Sequence, residues 1–168
     1  NKNISELTYN EISKIKLPNG ENIPALEDIF DLIDIDLIIE LKDPGIINAL
    51  LQMFTDRPEL AKRCALISFF HEALLEIKKY FPNIITGALL AGFPVDPVYM
   101  VKSCKADIIS LNYEGLTKEY VNKCHEANIK VAAWTPNTKE EIKKCIDASI
   151  DIIASDRPDI VMELTNKK

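Results

Sequence analysis

Ile129-Lys130-Val131-Ala132-Ala133-Trp134, then Thr138-Lys139-Glu140-Glu141 opening a helical pattern that runs to Ala148, then Ile150-Asp151-Ile152-Ile153-Ala154: this stretch decides the fold. Its two outer segments are short, near-continuous apolar runs, which suits strands covered on both faces of a parallel sheet. Between them, Thr138 and Glu141 have the spacing of a capping box, in which each side chain satisfies a backbone N–H of the other. A strand, a helix and a second strand with no hairpin signal make a βα unit followed by its parallel neighbour.

The same unit repeats upstream. Strand patterns fall at Asp36–Lys42, Cys64–Phe69, Ile84–Leu90 and Ala106–Asn112, and helical patterns at Glu72–Phe81, Pro97–Lys105 and Lys118–Ala127. Pro24 opens a segment in which Leu26, Ile29, Phe30 and Ile33 recur on one helical face. Pro44 and Gly45 stop the first strand, and Ile46, Ile47, Leu50, Leu51 and Phe54 mark the helix after it. A short helix is expected after Pro158. Six strands at regular spacing give an α/β fold, either a doubly wound sheet or part of a (β/α)₈ barrel. A complete barrel takes about 250 residues and eight strands, so as a barrel this chain of 168 residues is incomplete. The segment before Pro24 is different: a Thr8–Glu11 capping box and a Pro18-Asn19-Gly20 turn, with no βα unit.

Composition narrows the function classes. Apolar residues are 47% and charged residues 27% of the chain, enough for a packed core. A net charge of −6 argues against unaided nucleic-acid binding but leaves room for a small phosphate ligand, which needs only a local cation. No apolar run approaches the ~18 residues that span a bilayer. The first residue is Asn1 rather than Met, which reads as a processed product or a fragment, and no signal-peptide pattern follows it. Cys64, Cys104, Cys124 and Cys145 are spread evenly, without a C-x-x-C pair, and read as reduced, buried thiols of a cytoplasmic protein.

Ligands of parallel α/β folds bind at the C-terminal ends of the strands. There stand Glu40 and Lys42, Ser68 and Phe69, Asn112 and Tyr113, Trp134 and Thr135, and Ser155, Asp156 and Arg157. Glu40 and Lys42 alternate with Leu41 along a strand and so point to the same side. The carboxylate suits a hard cation and the ammonium a phosphate, although a structural ion pair explains both equally well. Trp134 is the only tryptophan; it reads either as a wall for a substrate or as packing under a loop. Asp156 reads either as a ligand-shell residue or as the N-cap of the short helix whose first turn contains Pro158, and the cap is favoured. Neither His71 nor His125 has a carboxylate or serine partner that the sequence places.

These residues also carry a family resemblance. Glu21-Asn22-Ile23-Pro24-Ala25-Leu26-Glu27-Asp28, Ile38-Ile39-Glu40-Leu41-Lys42, Ile67-Ser68-Phe69, Val131-Ala132-Ala133-Trp134-Thr135-Pro136-Asn137 and Asp151-Ile152-Ile153-Ala154-Ser155-Asp156-Arg157-Pro158 resemble, in order, successive motifs of glycerophosphodiester phosphodiesterases. The resemblance implies an incomplete (β/α)₈ TIM barrel of the phospholipase-C-like phosphodiesterase type, with the strands here being the third to the eighth. Residues 1–22 would be the tail of the family's insertion and residues 23–168 the C-terminal part of the barrel domain. It implies a hydrolase of lipid and glycerol metabolism that cleaves a small-molecule glycerophosphodiester to glycerol 3-phosphate and an alcohol, using a divalent cation, Mg²⁺ or Ca²⁺. Glu40 matches a metal ligand of the family. Lys42 matches the residue near the phosphate, and Trp134, with Phe69 at its strand end, matches residues of the substrate site. The family's "HRG", "E-x-D" and "HD" motifs have no match, so no catalytic histidine is identified. The chain by itself is therefore expected to be inactive and to need its missing N-terminal segment, or self-association, to cover the open barrel. Two other readings stand beside this one: a catalytically dead binding or scaffold module, and a different α/β-barrel enzyme. The latter would call for a Gly-rich phosphate loop that a chain with only five glycines does not show after Trp134 or Ile153.

Overall fold

The structure is a computed structural model that describes residues 3–166, in two compact units, Asn1–Ile35 and Asp36–Lys168. In the first unit, Thr8 and Glu11 cap α1 (Tyr9–Ile12) reciprocally, with Glu11 N donating to Thr8 Oγ1 at 3.3 Å and Thr8 N to the Glu11 carboxylate at 2.8 Å. The expected turn is present: Gly20 N donates to Leu17 O, and Gly20 adopts a φ of +87°, open to glycine at no steric cost. Helix α2 (Leu26–Leu32) begins two residues after Pro24 and ends one short of the expected face, because Ile33 is already extended.

The second unit is a parallel sheet with its helices. Its strands are β1 (Leu37–Glu40), β2 (Cys64–Ser68), β3 (Ile85–Leu90), β4 (Ile108–Asn112), β5 (Lys130–Trp134) and β6 (Ile152–Ala154). They lie in the order β1-β2-β3-β4-β5-β6, all parallel. This sequential order decides between the two architectures left open by periodicity. A doubly wound sheet reverses direction at a switch point, whereas a barrel adds each strand beside the last. The sheet is an open arc of a barrel.

The connecting helices are α3 (Ile47–Asp56), α4 (Pro58–Ala61), α5 (His71–Tyr80), α6 (Pro97–Ser103), α7 (Lys118–Glu126) and α8 (Lys139–Asp147), with α9 (Pro158–Thr165) after β6. They cover one face of the sheet. Leu66, Ala88, Ile109, Leu111, Val131 and Ala133 alternate along the strands on that face and are fully buried. Val101, Val121 and Cys124 from α6 and α7 pack with Ile109, Leu111 and Val131 of this set. Each fully buried Leu or Ile here contributes about 1.5–3 kcal/mol. On the other face Ile38 and Ile85 remain about half exposed, at 53% and 49%.

Three helices end identically. Lys105, Asn128 and Ser149 take positive φ (55°, 59° and 64°) just after α6, α7 and α8. The next residue turns back: Ala106 N donates to Val101 O, Ile129 N to Cys124 O and Ile150 N to Cys145 O. These are Schellman closures, each with an apolar residue returned to the core. They use up residues that the apolar pattern assigned to strands, so β4 starts at Ile108 rather than Ala106, and β6 at Ile152 rather than Ile150.

Asp107 and Asp151 follow two of these closures and stitch neighbouring strands together. Asp107 Oδ2 accepts from Thr86 N at 2.8 Å and from Lys78 Nζ at 2.7 Å. Asp151 Oδ2 accepts from Val131 N at 2.8 Å and lies 2.8 Å from His125 Nε2. The four cysteines are free and buried, and burial pushes the thiols of Cys64 and Cys145 up to about 11.

Candidate functional site

The C-terminal ends of the strands gather the expected residues. Glu40 ends β1, and the Lys42 ammonium lies 2.7 Å from its carboxylate. Phe69 leaves β2 and meets Trp134, the last residue of β5, edge to face, with ring centroids 6.5 Å apart and planes at 77°. The indole Nε1 of Trp134 is buried and has no hydrogen-bond partner. Leaving such a donor unpaired costs about 1–3 kcal/mol.

Asn137 ties the β5 and β6 ends together. Its Nδ2 donates to Asp156 Oδ2 at 2.9 Å, while its Oδ1 accepts from Asp156 N at 2.9 Å and Ser155 Oγ at 3.1 Å. Asp156 is therefore not the N-cap of α9. Arg157 holds that position, with Pro158 at the first helical residue, and the Asp156 carboxylate faces Asn137 instead. Behind this corner, Glu141 accepts from the backbone N–H groups of Thr138 and Asn137 and from Tyr113 Oη. Those bonds pull its carboxyl down to about 2, and the same contact pushes the Tyr113 phenol up to about 12.

The histidines have partners that their sequence neighbours did not reveal. His125 has a carboxylate beside it, Asp151, but at the start of β6, the end opposite the site. His71 opens α5 near the site, and its Nε2 lies 2.8 Å from Leu89 O. Because a carbonyl can only accept, that nitrogen carries a proton.

Among the described residues, no three His, Cys, Asp or Glu side chains converge to hold a metal ion. Glu40 supplies one carboxylate, and Lys42 occupies it as an ion pair. A hard divalent cation takes six or more oxygens, so the residues present do not fit one unaided. A cavity of about 710 Å³ lies by α8, lined by Tyr113, Lys118, Thr138, Glu141 and Lys144 among others; neither Glu40, Lys42, Phe69 nor Trp134 lines it.

The sequence profile of the glycerophosphoryl diester phosphodiesterase family matches residues 1–160. The chain belongs to this family. It is 30% identical over 179 residues to a glycerophosphodiester phosphodiesterase of Caldanaerobacter subterraneus subsp. tengcongensis, a match that covers 98% of this chain and 73% of the relative. Among solved structures, a candidate glycerophosphodiester phosphodiesterase from Galdieria sulphuraria superposes with a TM-score of 0.89 at 26% identity, over 99% of this chain and 73% of that one. A phosphodiesterase of Oleispira antarctica, solved with the product sn-glycerol-3-phosphate, shares the fold at a TM-score of 0.66 and 20% identity, over 79% of this chain and 56% of that one. The chain is thus a phosphoric diester hydrolase at the level of its family, with a partial TIM barrel as its fold.

Proposed function

We propose that these residues form the later-strand side of a site that hydrolyses a glycerophosphodiester to glycerol 3-phosphate and an alcohol. The observation that carries the reading is the gathering of Glu40, Lys42, Phe69 and Trp134 at one end of the sheet. Lys42, at 79% side-chain exposure, is free to swing from Glu40 to a phosphate oxygen. The Phe69–Trp134 corner gives the glycerol carbons an apolar wall. Glu40 would contribute one oxygen to a divalent cation, Mg²⁺ or Ca²⁺, whose role is to neutralise phosphate charge. Its other ligands, and the groups that move protons, would come from outside the described residues.

The 168 residues alone are accordingly expected not to turn over. Further strands, or a second copy, would cover the half-exposed Ile38 and Ile85, and residues 1–22 would be the tail of the family insertion. Among the described residues no helix is long and apolar enough to cross a membrane. The free cysteines favour a reducing, cytoplasmic setting.

The test is release of glycerol 3-phosphate from a glycerophosphodiester with Mg²⁺, Ca²⁺ or chelator. It compares this chain with one extended by the upstream region that the resemblance calls for. Cation-dependent release by the extended chain alone is the expected result. Release by the short chain, or release indifferent to chelator, overturns it, and inactivity of both leaves Glu40–Lys42 as a structural ion pair in a binding module.

A further inference from the structure

Four side chains from three strand ends make up the proposed site, and something must hold their backbones in register. One hydroxyl touches two of those ends. Ser68, the last residue of β2, is fully buried. Its Oγ donates to Leu41 O at 2.7 Å and accepts from Phe70 N at 3.0 Å. Leu41 is the residue between Glu40 and Lys42, and Phe70 is the residue after Phe69.

The consequences follow from alternation. Leu41 is 1% exposed, and its N–H already donates to Ile67 O at 2.8 Å. With its carbonyl bound to Ser68 as well, the Leu41 peptide is fixed on both sides, and its buried side chain turns Glu40 and Lys42 the other way. On the β2 side, Phe69 lies between a residue whose hydroxyl is anchored and a residue whose N–H that hydroxyl holds. His71 adds a second tie, from α5 to Leu89 O at 2.8 Å. Phe69 is thereby aimed at Trp134. Only a group that donates and accepts at once can make both of the Ser68 bonds, which a hydroxyl does and a methyl does not. At zero exposure no bulk solvent is available to take its place.

We infer that Ser68 is a positioning residue of the phosphodiesterase site, one hydroxyl that sets both the Glu40–Lys42 pair and the Phe69 wall. The inference rests on the site proposed above, and its test separates the two.

Trp134 is the sole tryptophan, so its fluorescence reports the Phe69–Trp134 corner directly. The measurement is acrylamide quenching of Trp134 in the 168-residue chain, without ligand and during titration with glycerol 3-phosphate. Variants are S68A, S68T, F69A as the benchmark for a lost wall, and I142V. Ile142 is fully buried on α8, and its variant reports general destabilisation. S68A is expected to raise the ligand-free quenching constant toward that of F69A and to weaken glycerol 3-phosphate binding about tenfold or more. S68T, which keeps the hydroxyl, is expected to stay within about twofold of wild type on both readouts, and I142V to change neither. S68A that melts lower yet quenches and binds like wild type overturns the inference. So does I142V moving Trp134 as far as S68A does. If wild type shows no saturable response to glycerol 3-phosphate, these 168 residues do not bind the product by themselves, and the ligand-free comparison alone decides for or against Ser68. Should S68A fail to fold, S68C, with a weaker donor and acceptor, is expected to shift quenching in the same direction by less, and no shift overturns the inference.

Discussion

Replacing Asp107 by Ala is expected to destabilise the protein well beyond what an exposed carboxylate usually costs. The side chain is 46% exposed, but its partners are not. Thr86, whose N–H it accepts, is fully buried, and an unpaired donor there costs about 1–3 kcal/mol. Lys78 is 8% exposed and loses the Asp107 carboxylate, keeping Ile84 O at 2.6 Å and Pro82 O at 3.4 Å. A charge-assisted bond of this kind contributes about 1.5–3 kcal/mol, to be discounted because water reaches the Asp107 side. The two losses together come to about 2–4 kcal/mol. For a chain of this length that lowers the melting temperature by about 5–15 °C. Circular dichroism melts at neutral pH measure it, and a cycle with Lys78→Met apportions it. With the cation gone, Asp107→Ala should cost about 1–2 kcal/mol less, since only the Thr86 bond is then lost. A D107A melt within about 1 °C of wild type would refute the reasoning, as would strict additivity in the cycle.

Three other outcomes follow from geometry already described. Lys105→Gly and Ser149→Gly should each raise stability by about 1 kcal/mol in chemical denaturation, because glycine adopts positive φ without a Cβ clash; Asn128→Gly should gain less, since Asn tolerates that region. Glu141 is held down to about 2, so its contribution is complete above its unfolded value near 4.5 and disappears as pH falls from there toward 2. The melting-temperature gap between wild type and Glu141→Gln should therefore be widest at neutral pH and close on acidification; a gap that widens in acid would contradict it. With burial raising all four thiols, a disulfide reagent at pH 8 should label none of them quickly in the native protein and all of them in denaturant.

Much of this molecule is legible in its sequence, and the limits have physical causes. Apolar runs located all six strands, and the Thr138–Glu141 box located the start of α8 within one residue. Strand starts were read too early at Ala106 and Ile150, since a Schellman closure also returns an apolar residue to the core and mimics strand periodicity. Barrel and doubly wound sheets share the same local pattern; strand order, a property of long-range pairing, separated them. Of the proposed site, the strand-end positions of Glu40, Phe69 and Trp134 were readable from alternation and motif. The ones that hold them were not. Ser68 reaches Leu41 across 27 residues, and Asn137 reaches Asp156 across 19, so no local spacing announces either bond. Asp156 was misread for the same reason: a capping carboxylate and one bound by a distant amide look alike in sequence.

The strictly sequential strand order has a consequence for how the polypeptide can be divided. Gly92 stands exposed in the loop between β3 and α6, with open space around it. A chain break there would part the sheet into β1–β3 and β4–β6, and every strand pairing except that of β3 with β4 would stay within one piece. Nothing needs rethreading for the halves to meet, because no connection crosses the cut. The arc is thus suited to fragment complementation, with the register of Gly87 to Leu90 against Ile108 to Leu111 as the seam that the two peptides must find.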